Sequence, residues 1–333
     1  MRPYIMRRVA LIFPTLILVT IITFLMVRFV PGNVIDMMIS DHMTQSGTDI
    51  ETLRENIKAS LGLDVPVYTQ YGRWIGILPQ AEVNGGGFHG ILQGDLGTSL
   101  WTKRAITTEI MSRIPISMEL GIIAIITGMI VAFPIGIYSA IRQDTIGDYL
   151  GRSFAILCIA VPGFWIGTLI FVLPSIWWGW SPAVEYIPIT RNFGANIVQF
   201  LIPGVIMGTA SAGGTMRMTR TMMLEVLRQD YIKTAWSKGL RERAVIVRHA
   251  MKNAMIPVVT IIGGQIPTLI GGSVIMEQIF CLPGVGRYML DALGQRDYPI
   301  ISGINLLMAS VLLVLILVVD LSYAWLDPRI RYR

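Results

Sequence analysis

Cysteine, histidine and charge are all scarce in this chain. Only two cysteines, Cys158 and Cys281, occur among 333 residues. That excludes a disulfide framework and leaves no metal-ligand spacing. The histidines His42, His89 and His249 are scattered and form no candidate metal cluster. Charged residues make up 14% of the chain, against about 25% in soluble domains. No G-x-x-x-x-G-K-[ST] pattern occurs, so the chain has no phosphate loop for ATP. Carriers that work alone usually show two repeated halves, and none is visible here.

What fills the chain instead is apolar. Hydrophobic residues are 53% of it, with a mean hydropathy of +0.61. Six runs are long enough to span a bilayer: Val9–Val30, Ser117–Ile141, Ser153–Trp177, Asn196–Gly214, Val258–Met276 and Ile304–Leu326. The first is roughly 33 Å long as a helix. Arg2, Arg7 and Arg8 precede it in the manner of a signal peptide. The run is too long for one and lacks a small-residue cleavage site, so a retained span is expected. Pro134 is tolerated in the second run, while Pro162, Gly163 and Pro174 interrupt the third. Trp177, Trp178 and Trp180 form an interfacial belt. Gly204, Gly208, Gly213 and Gly214 allow close packing of the fourth run. Cys158 is expected to be a small filler, and Met216, Met218, Met222 and Met223 to serve packing.

One long charged insert, Leu224 to Pro257, stands apart. Between Arg217 and Lys252 there are nine Lys/Arg and three acids, Glu225, Asp230 and Glu242. Nine minus three is +6, the net charge of the whole chain, so the remainder is neutral in sum. The spacing of Leu224, Leu227, Tyr231 and Ala235 predicts one helical stripe. Lys238 and Gly239 predict its stop, and a second helix restarts near Arg241. Ala244, Val247, Met251, Ala254 and Met255 form the second stripe, with Pro257 as its boundary. A basic loop alone would suffice to orient the chain. Two amphipathic helices are more than orientation requires, and a helix laid in a groove is a common recognition mode.

Residues 31–113 are the longest polar segment. Thr48 and Glu51 have capping-box spacing, and Ile50, Leu53, Ile57 and Leu61 predict a surface helix. A short helix is expected around Val67–Leu78, and Gly94–Ser99 (GDLGTS) is turn-rich. Six spans place both termini and the insert on one side. Arg7, Arg8, Arg142, Arg152, Arg329, Arg331 and Arg333 then face the cytoplasm. Three regions follow: an N-terminal span (1–30), an extracytoplasmic segment (31–115) and a five-span core (116–333) with a cytoplasmic loop at 215–257. The basic residues flank apolar spans, so the partners are membrane lipid and protein, not nucleic acid. Glu119 and Asp320 are acids in or near spans, which marks them as functional candidates. Glu277, Arg296 and Asp297 fall in an expected outer loop, Ile279–Pro299 and its edge.

The chain resembles the B-type permease subunit of bacterial and archaeal dipeptide/oligopeptide ABC importers. The matching stretches are YIMRR…FPTL (Tyr4–Leu16), LGLDVPVYTQYGRW (Leu61–Trp74), GDLGTS (Gly94–Ser99), RIPISMEL (Arg113–Leu120), VPGFW (Val161–Trp165), EQIFCLPGVGRYML (Glu277–Leu290) and RDYPII (Arg296–Ile301). Within the insert, Lys233, Thr234, Ala235 and Gly239 keep the spacing of the importer signature, in which Glu-Ala-Ala is followed by three residues and Gly. Lys replaces its Glu and Thr its first Ala, and Lys252 stands where a Leu-Pro is expected.

The resemblance implies an all-α polytopic membrane protein, with the type I ABC importer permease fold of six transmembrane helices. It implies a multi-pass subunit of the cell membrane with both termini cytoplasmic. It implies no catalysis and no cofactor in this chain, since ATP and Mg are bound by partner ATPases. The implied partners are a homologous second permease, two P-loop ATPase subunits and an extracytoplasmic peptide-binding protein. Lys233, Thr234, Ala235, Lys238, Gly239, Leu240, Arg241, Glu242 and Arg243 are then the ATPase-coupling residues. Glu277, Arg296 and Asp297 are an outer gate or binding-protein contact. Related permeases for nickel or oligosaccharides, and a stand-alone secondary transporter, are the alternative readings.

Overall fold

The computed structural model describes residues 2–29, 62–80, 86–271 and 273–326, together with isolated positions between 39 and 59. Eleven α-helices of six or more residues carry the fold among them. They are α1 (Arg2–Phe29), α2 (Val67–Ile75), α3 (Ile106–Ile141), α4 (Ile146–Ala160), α5 (Gly163–Trp178) and α6 (Phe193–Leu227). After these come α7 (Asp230–Ser237), α8 (Met251–Gly271), α9 (Val274–Ile279), α10 (Val285–Gln295) and α11 (Tyr298–Leu326). Among the described residues, five stretches are long and apolar enough to cross a membrane, and six if α4 and α5 count as one broken span. The helix predicted over residues 50–61 lies largely outside the described residues.

The third predicted span is not one rod. α4 and α5 meet at an 85° bend. The cause is local. Pro162 has no N–H to donate, and Val161 before it is extended at φ −89° and ψ 120°, as the residue before a proline prefers. Pro174 breaks nothing and sits inside α5. Trp177 and Trp178 at the end of α5 are 64% and 72% exposed, which suits an interfacial belt.

The chain divides into two units. Arg113–Tyr288 makes up the body of the first. Its core holds Ile116, Leu120 and Ala124 of α3, Phe200 and Met207 of α6, and Phe280. Small residues bring the helices this close. A Cβ on Gly208 would strike the Ala124 carbonyl at 2.5 Å, and one on Gly213 the Ala155 carbonyl at 2.6 Å. Gly214 borders open space, so three of the four glycines read as packing residues serve that purpose. Cys158 packs beside the Ala155–Met216 cluster as a filler, and Met216 and Met223 are buried.

The second unit comprises Val9–Ser112 and Met289–Ser310. Here α2 forms where it was predicted and lies on α1. The Phe24 ring stands 5.1 Å from Tyr71 and 5.5 Å from Trp74, and the Thr20 and Tyr71 hydroxyls share a 2.8 Å hydrogen bond. The GDLGTS stretch is a turn, with Gly94 and Gly97 at positive φ. The expected outer loop over 279–299 is largely helical: α10 occupies most of it.

Candidate functional site

The charged insert folds on a greasy root and shows a charged face. α6 runs past the expected end at Gly214 to Leu227, so the first part of the insert continues a span. The chain then turns at Arg228 and Gln229 into α7, which ends at Ser237. Gly239 takes φ +73°, the left-handed stop that the sequence predicts. A helical turn, Glu242–Ala244, leads through a π-helical stretch, Val245–Ala250, directly into α8. Pro257 therefore sits within a helix and marks no boundary.

The π stretch corrects the predicted stripe. Val245 and Ala250 are both fully buried. Five residues apart, they would face different sides of an ordinary α-helix, but a wider π turn brings them round together. Val247, placed on the stripe by α spacing, is 50% exposed. Val245 and Ala250 pack with Met223, Ile232, Ala235 and Ala254. Ala235 is thus a root residue at 7% exposure within this chain, and Tyr231 of the first predicted stripe is 43% exposed. Asn253 donates from Nδ2 to the Tyr231 hydroxyl at 2.8 Å, tying α7 to α8.

The other predicted coupling residues share the open side. Lys233, Thr234, Lys238, Gly239, Leu240, Arg241, Glu242 and Arg243 are all exposed. Trp236 and Leu240 stand among them at 44% and 40% exposure. Lys233 pairs with Asp230 at 2.8 Å, and that hydrogen bond and charge hold the Asp230 carboxyl below its usual range. The segment thus leaves apolar side chains and cations exposed together.

The three outer residues behave differently. Glu277 and Asp297 are fully buried, so in this structure neither presents its side chain to an external protein. Both are internal locks. Glu277 Oε1 accepts from Ser117 at 2.7 Å and Ser273 at 2.5 Å, and its Oε2 accepts from the Arg287 N–H at 2.9 Å. Gly284 and Gly286 lie against the carboxylate, where a Cβ at either would collide with it or its neighbours. Asp297 accepts from Ser99 Oγ at 2.6 Å and from the Leu100 N–H at 3.0 Å. Two motifs far apart in sequence, GDLGTS and RDYPII, are thereby joined. Arg296 is half-buried, with φ +54°.

A third lock escaped the sequence reading. Asp148 in α4 is fully buried and receives Arg220 of α6 in a two-pronged bond, Nε to Oδ1 and Nη2 to Oδ2, each at 2.8 Å. Ser139 of α3 donates to the same carboxylate, and so does the Asp144 N–H at 3.0 Å. Asp148 lies in a short basic link where it resembles any loop acid. The available signal was its place three residues after a capping threonine, Thr145, on a helix that is otherwise apolar. Glu119 in α3 is half-buried, with Oε1 lacking a hydrogen-bond partner. Burial pushes the Tyr186 phenol up, and the charge of Glu119 adds to that. The side chain of Asp320 lies outside the described residues. No group of three or more metal-binding side chains occurs among the described residues.

Comparison with known proteins accords with this geometry. A model described as "binding-protein-dependent transport system inner membrane component" matches residues 132–332. The N-terminal model of the same transport system's membrane component matches residues 1–121. The chain is 34% identical to the dipeptide transport system permease protein of Escherichia coli, covering all of both chains. It is 36% identical to the oligopeptide transport system permease protein of Bacillus subtilis, again over all of both. Two solved structures share the fold at 13% identity and TM-score 0.52, each over 66% of this chain. One is a chain of an amino acid ABC transporter, 94% of that chain being covered. The other is a chain of an inward-facing methionine ABC transporter, 96% of that chain being covered. The two models match residues 1–121 and 132–332, several apolar helices lie within those ranges, and the chain accordingly belongs to the binding-protein-dependent transport system inner membrane components.

Proposed function

We propose that this chain is the membrane subunit of an ATP-driven peptide importer, and that residues 233–243 dock its ATPase partners. One observation carries the docking reading. The segment is rooted by a buried cluster, yet its opposite side leaves Trp236 and Leu240 exposed among Lys238, Arg241 and Arg243. An aromatic or aliphatic anchor within a polar rim is the usual build of an interface centre. The cations would set register and speed encounter more than they add affinity. A homologous second permease completes the path, two P-loop ATPases bind ATP and Mg, and an external peptide-binding protein delivers substrate.

In this reading the termini and residues 215–257 face the ATPases, and residues 31–115 lie on the opposite side. The outer gate or binding-protein contact near 277–297 would then use Arg296 and the surface of α10. Glu277 and Asp297 would hold that surface in place from within. The relatives named above are peptide permeases, which favours peptide over nickel or oligosaccharide.

Purification of the tagged native complex in mild detergent tests the assembly, and uptake of labelled di- and oligopeptides tests the substrate. Recovery of a second permease with P-loop ATPases, and uptake lost on deletion of this chain, are the expected results. Recovery of the chain alone would overturn the docking reading. Intact assembly with no peptide uptake would overturn the substrate.

A further inference from the structure

A cleft opens between α3, α4 and α6, lined by Ser139, Gly151, Arg152, Ala155, Met216 and Arg217. Its charge is unbalanced. Arg220, which also borders it, is committed to Asp148 by two 2.8 Å bonds. That carboxylate is saturated by Ser139 and the Asp144 N–H as well. Arg152 is its looser partner: the Arg152 Nε ion-pairs with Asp148 Oδ1 at 3.5 Å but makes no hydrogen bond. The Arg152 guanidinium instead lies 4.5 Å over the Tyr149 ring. Arg217 is exposed, and no carboxylate lines the cleft beside it. Asp144, the other acid of the region, sits on the exposed turn before α4.

The surroundings indicate the occupant. α4 presents Ile146, Tyr149 and Leu150 at 79%, 55% and 66% exposure along the same stretch. Ser139 lies near the end of α3 and Arg152 in the first turns of α4, so the cleft sits by the ends of two helices, which in the reading proposed above face the cytoplasmic membrane surface. Bare apolar side chains next to the exposed Arg217 and the partly exposed, loosely paired Arg152 match an amphiphile with acyl chains and a negative headgroup. A soluble anion would find the cations but not use the apolar flank. Basic pockets between spanning helices are suited to acidic headgroups, and guanidinium forks match phosphate geometry.

We propose that this cleft seats the phosphate headgroup of an anionic membrane lipid, held by Arg152 and Arg217 and flanked by the apolar face of α4. The site joins α4 to α6, and α6 leads directly into the charged insert. Lipid bound there would brace the root of that insert. Arg220 belongs to the lock and is left out of the test, because its loss would strand Asp148.

The test uses the full chain, purified with its co-expressed subunits into neutral-lipid nanodiscs. Phosphatidylglycerol, phosphatidylcholine and inorganic phosphate are titrated in separate arms, and retention is read by native mass spectrometry. Arg152→Gln and Arg217→Gln are each expected to weaken phosphatidylglycerol retention about fivefold, and together roughly thirtyfold. Arg142→Gln, an exposed cation outside the cleft, should leave retention unchanged. The Lys pair R152K/R217K should keep most of it, which covers the case in which the Gln pair fails to fold. Equal retention by wild type and the Gln pair would overturn the proposal. So would binding of inorganic phosphate that matches the lipid, or phosphatidylcholine retained as strongly as phosphatidylglycerol.

Discussion

The charged groups around Asp148 and Glu277 and those of residues 230–243 are arranged in opposite ways. The two buried carboxylates each collect several donors from within the chain: Arg220, Ser139 and the Asp144 N–H for one, Ser117, Ser273 and the Arg287 N–H for the other. The exposed segment does the reverse. Lys238, Arg241 and Arg243 stand on its open side, and Lys233–Asp230 is its one ion pair among the described residues. The reason is the surrounding medium. An unpaired charge buried in a low-dielectric interior is costly, so it is matched within the chain. A charge in water costs little unpaired and stays available for another molecule. Locks and docking surfaces can therefore be told apart by where their hydrogen bonds go.

Arg220→Gln should break the contrast most severely. It would leave the buried Asp148 with only the looser 3.5 Å contact to Arg152 as a charge partner, at a cost of about 3–5 kcal/mol. Thermal inactivation in detergent would show a large drop, and an unchanged midpoint would mean the lock is not structural. Glu277→Gln comes next. It swaps a carboxylate for an amide facing three donors, with an expected loss of about 2–3 kcal/mol. The same melting assay reads it, and parallel peptide uptake should fall only as far as the amount of folded protein falls.

Gly208→Ala presses a methyl onto the Ala124 carbonyl and should cost about 1–3 kcal/mol. It sharpens the comparison by showing that packing, and not charge alone, holds α3 to α6. Gly239→Ala has ample room, since nothing lies within 4 Å of its added Cβ. The cost there is the left-handed backbone, about 1–2 kcal/mol. We expect the chain to insert and melt nearly as wild type, but to lose its ATPase partners on co-purification. Normal recovery of the partners would break the docking side of the comparison.

The smallest effect concerns pH. Lys233 depresses the Asp230 carboxyl. A depressed carboxylate contributes stability that is present above its unfolded pKa and lost as pH falls through its lower folded value. Between pH 8 and pH 5 that contribution is constant, so recovery of the complex should not change through this pair. Asp230→Asn should leave recovery at pH 7 close to wild type, because an exposed pair contributes little.

Much of the site was readable in the chain. The isolated block of cations located the insert, and Lys238–Gly239 located its turn, because helix stops depend on local backbone chemistry. Val247 was misplaced because a π turn changes the residue spacing, and nothing in VIVRHA announces one. Pro257 was misread as a boundary because a proline can sit inside a long helix when its neighbours tolerate the missing hydrogen bond. Glu277 and Asp297 looked like surface groups because their partners, Ser117 and Ser99, lie well over a hundred residues away.

The sequence by itself determined the class of this protein, its spans, the place of its charged insert and the glycine that turns it. All of these follow from composition, run length and local backbone preference. Only the tertiary structure decided which charges are locks and which are left exposed. It also decided that Val161–Pro162 bends a span by 85° and that Arg152 and Arg217 share a cleft. Those outcomes depend on which residues meet across the fold. Meetings of that kind are set by helix packing over long sequence separations, and periodicity along one helix does not contain them.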